Sequence, residues 1–246
     1  GIKMTGYKFK AFAKNAYKVM VDIDENEMNK YNIDVDLKIK SDCLEFINAL
    51  LNELPPQTPD ITEWHAYCKN LRDDEKFVFD KHRAYESFAS NYCFVEGLSK
   101  LVPEEVPTIT SNGSAHVVTL QTMCLKGKQR LFTNVGCASM GYGLPAAIGA
   151  CISYNNKKTI CIEGDGSLQM NIQELQTIVH HNLPLIIFVI NNGLYLSIKR
   201  TQENYFDSRY VATNIDSGVS SPDLSKIAQA YGIKYTRIIN NQEIEK

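Results

Sequence analysis

The feature that most constrains how this chain can fold is a pair of short runs rich in apolar residues, over residues 159–163 and 185–190. Such runs are typical of central strands in a parallel sheet, because helices cover both faces of that sheet. Strand-like runs also occur over residues 107–110, 131–134 and 234–239, and helix-like segments alternate with them at short spacing. This alternation predicts an α/β fold in which helices pack on both faces of a parallel sheet.

The first hundred residues are organised differently. Residues 1–54 have the pattern of a strand, a short helix, a strand and a helix, which we interpret as the C-terminal part of a second α/β domain. Residues 55–101 begin with a proline-rich stretch and continue with helical periodicity, which indicates a linker and a helical connector. We therefore expect the main α/β domain to occupy residues 102–246 and to be truncated at its C-terminus.

Charge and composition exclude several classes of protein. The formal net charge is -2, so the chain lacks the strongly basic character of a nucleic-acid binder. The longest apolar run, residues 183–190, includes a proline and is far shorter than the roughly 20 residues of a membrane span. The seven cysteines form no CxxC pair and the N-terminus has no signal-peptide pattern, so we expect reduced thiols in a cytoplasmic protein.

Polar turns follow the two apolar runs, with Gly-Asp-Gly-Ser at residues 164–167 and Asn-Asn-Gly at residues 191–193. If the runs are adjacent parallel strands, both turns lie at the sheet edge where ligands bind. Carboxylate and carboxamide oxygens suit Mg²⁺ better than Zn²⁺, and glycines at the start of a helix let a phosphate approach the backbone. Asp-Gly and Asn-Gly are also common turn dipeptides, which is the simpler interpretation of either turn alone. Their position at matched strand ends favours a site for a metal-bridged diphosphate.

Two motifs carry a resemblance to a known family. Gly-Asp-Gly at residues 164–166, followed after 24 residues by Asn-Asn at residues 191–192, resembles the signature of thiamin diphosphate enzymes. The sequence GCASMGYGLPAAIGA at residues 136–150 is similar to the segment that precedes this signature in the acetolactate synthase and pyruvate oxidase group. Residues 12–24 resemble the close of that group's central domain, so the resemblance covers nearly the whole chain. It implies a diphosphate-binding domain with thiamin diphosphate and Mg²⁺ as cofactors.

The resemblance also implies roles for individual residues. Asp165, the side chain of Asn192 and the main-chain carbonyl of Leu194 would bind Mg²⁺, and two diphosphate oxygens and a water would complete an octahedron. Two catalytic candidates contact the cofactor itself: Met140 would hold it in a bent conformation, and the carbonyl of Ala138 would accept a hydrogen bond from its 4′-amino group. The remaining cofactor contacts that the resemblance implies are Ser114, Gly164, Gly166 and Ser167.

The implied function is that of an acetolactate-synthase-like enzyme, which decarboxylates a 2-oxo acid such as pyruvate and transfers the two-carbon unit to an acceptor. After Asn192 the chain lacks the Gly-Met and tryptophan segment that contacts the acceptor pocket in acetolactate synthases. A keto acid, an aldehyde and a keto sugar therefore all stay open as acceptors. Lys199 and Arg200 would either face an anionic group or lie on a solvated helix face, and His116 is a further candidate for contact with diphosphate or substrate. A second hypothesis is a non-catalytic regulatory or assembly module that keeps the fold.

The resemblance further implies partners for the full-length protein. We expect a homodimer or homotetramer that binds a small-molecule 2-oxo acid and an acceptor, and that binds neither nucleic acid nor a membrane. In this family the glutamate that protonates the pyrimidine ring belongs to an N-terminal domain of a neighbouring subunit. Nothing in these 246 residues resembles that domain, so we expect the chain alone to be inactive. Members that bind FAD use the central domain, most of which lies outside this chain, so FAD binding stays open.

Overall fold

The computed structural model describes residues 8–30, 33–55, 59–74, 77–193 and 195–244. Contacts along the chain divide it between residues 70 and 71 into two compact units. None of the helices in the described ranges is both long and apolar enough to cross a membrane.

The first unit contains a pair of parallel strands. β1 (Val19–Asp22) leads through the short helix α1 (Glu25–Met28) to β2 (Leu37–Lys40), and α2 (Cys43–Glu53) follows. Asp42 caps α2, because its carboxylate accepts a hydrogen bond from the N–H two residues further on. The predicted order of strand, short helix, strand and helix is confirmed over these residues.

Three helices follow along the chain: α3 (Thr62–Asp74), which runs across the division, α4 (Asp80–Arg83) and α5 (Asn91–Leu101). They confirm the helical periodicity predicted for the connector. The domain boundaries expected after residues 54 and 101 stay predictions.

The described residues of the second unit form a sheet of four parallel strands: β3 (Thr108–Thr110), β4 (Leu131–Thr133), β5 (Thr159–Gly164) and β6 (Leu185–Ile190). Their order across the sheet is β4-β3-β5-β6. The chain moves outward from β3 to β4 and then returns past β3 to β5. A reversal of this kind leaves a crevice at the carboxyl ends of the two inner strands, where ligands of open α/β sheets bind.

The helices of the second unit cover both faces of the sheet. Side chains alternate along β5, so apolar side chains point to both faces and each face packs against helices. The helices after β3 are α6 (Gly113–Thr122), α7 (Gly143–Ser153), α8 (Asp165–Leu168), α9 (Glu174–His180), α10 (Leu196–Tyr205) and α11 (Leu224–Ala230). Ile160 and Ile162 pack with Val95 of α5 and Val118 of α6, whereas Cys161 between them packs with residues of α7 on the opposite face. The predicted fold class, a parallel α/β sheet with helices on both faces, is confirmed.

The predicted strand over residues 234–239 is wrong. These residues form no ladder hydrogen bonds, and β6 is the edge strand of the described sheet. A cavity of about 480 Å³ is lined both by β6 and by this segment. The β-branched and aromatic residues of the segment favour an extended conformation, but a strand also needs a partner within hydrogen-bonding distance. The main chain of residues 234–239 does not reach β6.

Candidate functional site

The carboxyl ends of β3, β5 and β6 bring three polar segments to one edge of the sheet. Ser111 and Asn112 follow β3, Asp165 follows β5, and Asn191 and Asn192 follow β6. Because the strands are parallel and β5 lies between β3 and β6, these segments are neighbours. The two turns that the sequence predicts to lie side by side are therefore together in the structure.

Asp165 is completely buried at this edge. Its Oδ1 accepts a hydrogen bond from the N–H of Gly166 at 3.0 Å, and its Oδ2 accepts one from the N–H of Gly193 at 3.1 Å. The second bond joins the turn after β5 to the turn after β6. Burial of a carboxylate is costly unless hydrogen bonds or a cation compensate its charge, so this environment suits a metal ligand.

Asn192 presents an oxygen atom that needs a partner. Its Nδ2 donates a hydrogen bond to the Ser114 Oγ at 2.7 Å, which fixes the orientation of the carboxamide. Its Oδ1 is buried and accepts no hydrogen bond from any residue of the described ranges. Leaving such an acceptor unsatisfied costs about 1–3 kcal/mol. Together with the Asp165 carboxylate, this oxygen forms the type of hard donor set that Mg²⁺ prefers, so the residues present fit a divalent cation.

The other residues predicted to hold the metal and the diphosphate follow β5 and β6. Gly164 ends β5, and Gly166 and Ser167 are buried in α8. The Ser167 Oγ accepts a hydrogen bond from the N–H of Gly141 at 2.8 Å, so this hydroxyl is engaged within the chain. Leu194, whose main-chain carbonyl is the predicted third metal ligand, lies outside the described residues.

A buried polar network lies beneath the metal-ligand candidates. The Ser111 hydroxyl donates a hydrogen bond to the Oε1 of Glu163, a fully buried residue of β5, and the Ser111 Oγ lies 3.3 Å from the Ser167 Oγ. Gly143 makes room for the Glu163 carboxyl, because a Cβ at this position would overlap the Oε2 of Glu163. The network thus joins the ends of β3 and β5 to the starts of α7 and α8.

The segment between β4 and α7 carries Ala138 and Met140. Ala138 has a φ of +50°, in the left-handed region, and its carbonyl accepts a hydrogen bond from the Asn112 Nδ2 at 3.1 Å. Met140 is half-buried. The next residue, Gly141, donates its N–H to the hydroxyl oxygen of Ser167, and its carbonyl accepts a hydrogen bond from the Asn171 Nδ2 at 2.7 Å. These bonds tie the segment to the ends of β3 and β5.

Comparison with known proteins identifies the family of this domain. A family profile described as "Thiamine pyrophosphate enzyme, C-terminal TPP binding domain" matches residues 111–246. The chain belongs to the thiamine pyrophosphate enzymes. Thiamine pyrophosphate is another name for thiamin diphosphate, so the family resemblance carried by the two sequence motifs is confirmed.

Acetolactate synthases are among the relatives of this thiamine pyrophosphate-binding domain. The chain is 34% identical over 247 residues to "Acetolactate synthase large subunit" of Pyropia yezoensis and 31% identical over 243 residues to "Acetolactate synthase isozyme 2 large subunit" of Escherichia coli (strain K12). It is 27% identical over 258 residues to "Probable acetolactate synthase large subunit" of Methanococcus aeolicus. These matches cover 99% of this chain but only 40%, 42% and 42% of the three relatives. The chain therefore spans about two fifths of their length.

Two of the candidates, His116 and Lys199, have partners within the thiamine pyrophosphate-binding domain. The His116 Nδ1 lies 2.6 Å from the Thr133 Oγ1, and burial lowers the pKa of the imidazole. The Lys199 Nζ lies 3.9 Å from a carboxylate oxygen of Glu203 on the same helix, and Arg200 is exposed. These contacts favour a solvated helix face for Lys199.

Sequence reasoning missed three residues of the thiamine pyrophosphate-binding domain that touch this site: Ser111, Asn112 and Asn171. Ser111 and Asn112 follow the end of β3, so the strand-end rule that singled out Asp165 also points to them. No local pattern marks Asn171, because its contact with Gly141 depends on how two distant segments pack.

The buried carboxyl of Glu163 should make the folding stability of the domain depend on pH. Burial raises the pKa of its carboxyl, and hydrogen bonds from Ser111 and Ser167 partly offset this effect. The folded domain therefore binds the proton more tightly than the unfolded chain does. The stability that comes from this tighter proton binding is fully present below the pKa of a glutamate in the unfolded chain, about 4.3. It is lost as the pH rises through the pKa of Glu163 in the folded domain.

In the metal-free protein we expect Glu163→Gln to weaken this loss of stability with rising pH. The free energy of unfolding at neutral pH should rise, because glutamine occupies the same site without a charge that burial disfavours. Urea denaturation at several pH values measures it. Glu105→Gln, at an exposed carboxylate, is the matched control and should keep the wild-type profile. An identical profile for Glu163→Gln would contradict the prediction.

Proposed function

We propose that this chain holds thiamin diphosphate and Mg²⁺ for an acetolactate-synthase-like enzyme, which decarboxylates a pyruvate-like 2-oxo acid and transfers the two-carbon unit to an acceptor. The observation that carries the proposal is the buried Oδ1 of Asn192, which has no hydrogen-bond partner among the described residues, at the same sheet edge as the buried carboxylate of Asp165. When bound, thiamin diphosphate supplies the carbanion stabilisation that this decarboxylation needs. The chain's own residues bind and orient the cofactor.

The metal is held in this proposal by Asp165, the Oδ1 of Asn192 and the carbonyl of Leu194. Two features of the first two residues support it. The Gly193 N–H bond to Asp165 keeps the two turns together, and the Ser114 bond to the Asn192 Nδ2 leaves the Oδ1 as the atom available for a cation. A non-catalytic module would have no need for a buried carboxylate at this edge.

The diphosphate contacts in this proposal are Ser114, Gly164, Gly166 and Ser167. Because the Ser167 hydroxyl already accepts the N–H of Gly141, we propose that Ser167 contributes its main-chain N–H. The Ser114 hydroxyl accepts from Asn192 and keeps its own proton for an acceptor such as a phosphate oxygen. One side chain would thereby link the metal ligand to the diphosphate.

Substrate and acceptor are proposed only by class. The names of the relatives support a pyruvate-like 2-oxo acid as donor. Past the metal-ligand turn, α10 places the hydroxyl oxygen of Ser197 3.7 Å from the point where a Cβ of Gly113 would lie, at the start of α6. A polar acceptor, such as a keto acid, an aldehyde or a keto sugar, suits this surface. Since Lys199 contacts Glu203, Arg200 is the cation that we propose for an anionic acceptor.

We also propose that the 246 residues alone are inactive and that the intact protein is a homodimer or homotetramer. The first proposal is supported by the coverage of the relatives, of which this chain spans about two fifths, and the second rests on the family resemblance alone. The resemblance assigns the general acid to a glutamate of an N-terminal domain that these residues do not resemble. Lack of such a group alone typically lowers a rate by about 10²- to 10⁴-fold.

Calorimetric titration of the intact protein with thiamin diphosphate tests the proposed function. We expect saturable binding in the presence of Mg²⁺ and a large loss of affinity when the metal is chelated. If the protein binds no thiamin diphosphate in either condition, the proposed enzyme function is wrong, and the hypothesis of a non-catalytic module stands in its place. Binding that is independent of the metal would overturn the assignment of Asp165 and Asn192.

Met140→Ala separates cofactor shape from cofactor affinity. The half-buried Met140 lies between two anchored residues, Ala138 and Gly141, so its side chain is well placed to support a bent cofactor. We expect the variant to bind thiamin diphosphate nearly as tightly as the wild type and to lose about 100-fold in turnover, the typical cost of misplacing reacting groups by about 1 Å.

Turnover of pyruvate and calorimetric affinity for the cofactor, both with the intact protein, measure the effect of Met140→Ala. Met170→Ala, at an exposed methionine of the same domain, is the matched control and should keep wild-type turnover. Wild-type turnover in Met140→Ala would show that another group imposes the bend.

A further inference from the structure

Asn112 stands at the N-cap position of α6 but does not cap the helix. An asparagine at this position ordinarily accepts a hydrogen bond from an N–H of the first turn, which stabilises the helix by about 1 kcal/mol. In this chain the Asn112 side chain makes no such bond. Its Nδ2 instead donates to the carbonyl of Ala138, 26 residues along the chain, at 3.1 Å. The side chain therefore forgoes a local contact and makes a long-range one.

The residue at the other end of this bond has an unfavourable backbone conformation. Ala138 has a φ of +50°, and the left-handed region costs an L-residue with a Cβ about 1–2 kcal/mol. The turn itself supplies one bond, from the Ala138 N–H to the carbonyl of Asn134 at 2.9 Å. The Asn112 carboxamide supplies a second bond, from outside the turn, to the Ala138 carbonyl. The orientation of that carbonyl is thus tied to the end of β3.

The rest of the segment is anchored independently of Asn112. Gly141 is held through its N–H by Ser167 and through its carbonyl by Asn171, so the part next to Met140 has its own contacts with α8 and the turn after it. Loss of the Asn112 side chain therefore frees the Ala138 carbonyl and leaves the Gly141 anchors in place.

We propose that Asn112 is a positioning residue for the aminopyrimidine end of thiamin diphosphate, acting by holding the Ala138 carbonyl in the orientation that accepts the 4′-amino group. This inference rests on the proposed function, in which that carbonyl is the acceptor. A carbonyl oxygen has two lone pairs, so it can accept from the Asn112 Nδ2 and from the cofactor at the same time. Among the described residues, the Asn112 side chain makes no hydrogen bond to Asp165, to Asn192 or to the proposed diphosphate contacts.

The test compares two ligands, thiamin diphosphate and its 4′-deamino analogue, each titrated with Mg²⁺ into the intact protein by calorimetry. The wild type should prefer thiamin diphosphate, because only this ligand donates to Ala138. Asn112→Ala should weaken thiamin diphosphate binding by about 3- to 10-fold, the usual range for one hydrogen bond, and leave the analogue's affinity unchanged. Asn52→Ala, at an exposed position of α2, is the control and should behave as wild type.

Asn112→Asp provides a second variant that keeps the shape of the side chain and the N-cap preference but cannot donate to a carbonyl. Its charge would weaken both diphosphate ligands equally, so the ratio of the two affinities is the measurement. We expect the preference for thiamin diphosphate to fall as it does in Asn112→Ala. Agreement of the two variants would support positioning through the donated hydrogen bond.

The outcomes separate this inference from the proposed function. If the wild type binds neither ligand, the proposed function fails and the inference fails with it. If the wild type prefers thiamin diphosphate but Asn112→Ala weakens both ligands equally, Asn112 has only a structural role and the inference alone is overturned. Tighter binding of thiamin diphosphate by Asn112→Ala would also overturn it, because Asn112 would then compete with the cofactor for the carbonyl.

Discussion

Asp165→Ala is expected to abolish Mg²⁺-dependent binding of thiamin diphosphate by the intact protein. The carboxylate is the charged member of the proposed ligand set, and it is fully buried. Alanine leaves an uncharged cavity at a place where the positive charge of a divalent cation needs a negative side chain to balance it. The expected loss of affinity exceeds the roughly 10- to 100-fold that is typical when only an outer-shell partner of a metal ligand is removed.

Asn192→Ala should have a similar effect, because it removes the oxygen that has no hydrogen-bond partner among the described residues. The neighbouring Asn191 offers a matched control. It follows the same strand but is exposed, so Asn191→Ala should bind the cofactor as the wild type does. Calorimetric titration in the presence and absence of Mg²⁺ measures all three variants, and circular dichroism checks that each is folded.

A particular pattern of results would refute the metal assignment. If folded Asp165→Ala and Asn192→Ala both bind thiamin diphosphate as tightly as the wild type with Mg²⁺ present, these side chains are not metal ligands. Loss of binding in Asn191→Ala as well would point to a general disturbance of the turn after β6.

Gly143→Ala is expected to destabilise the domain severely. Gly143 begins α7 and packs against the buried network, where a Cβ would overlap the Oε2 of Glu163 and come within 2.9 Å of its Cδ and 3.3 Å of the Ser111 Cβ. Glu163 and Ser111 are both fully buried, so neither can move into solvent. Overpacking of this kind typically costs about 1–3 kcal/mol, and we expect the upper end of that range. In a domain of this size about 3 kcal/mol lowers the melting temperature by roughly 6–12 °C.

Gly149→Ala is the matched control because it makes the same change in the same helix. Apart from its chain neighbours and the backbone of α7 itself, no atom of the described residues lies within 4 Å of a Cβ built at Gly149, which is exposed. Alanine stabilises a helix interior by about 0.5–1 kcal/mol relative to glycine, so this variant should be slightly more stable than the wild type. Urea denaturation of the metal-free protein compares the two. Equal stability of both variants would mean that α7 can shift away from Glu163, which would contradict the packing described above.

Local sequence patterns were sufficient to predict the strands that carry the site. The apolar run at residues 185–190 coincides with β6, and the run at residues 159–163 differs from β5 by one residue. Side chains of both strands pack into the hydrophobic clusters on the two faces of the sheet, although only β5 has the central position expected and β6 is the edge strand of the described sheet. Most residues of the two strands therefore had to be apolar, and that constraint is visible in a single sequence. The same rule failed at residues 234–239, because extended backbone becomes a strand only when a partner strand is within reach.

The sequence by itself determined the fold class, the family motifs and the two turns that hold Asp165 and Asn192, because each depends on residues close together in the chain. Only the tertiary structure decided which distant groups meet at those turns. The order β4-β3-β5-β6 places the end of β3 beside β5, and this brings Ser111 to Glu163 and Asn112 to Ala138. These pairs are separated by 52 and 26 residues. A hydrogen bond between them depends on strand order and helix packing, which no local pattern of residues records.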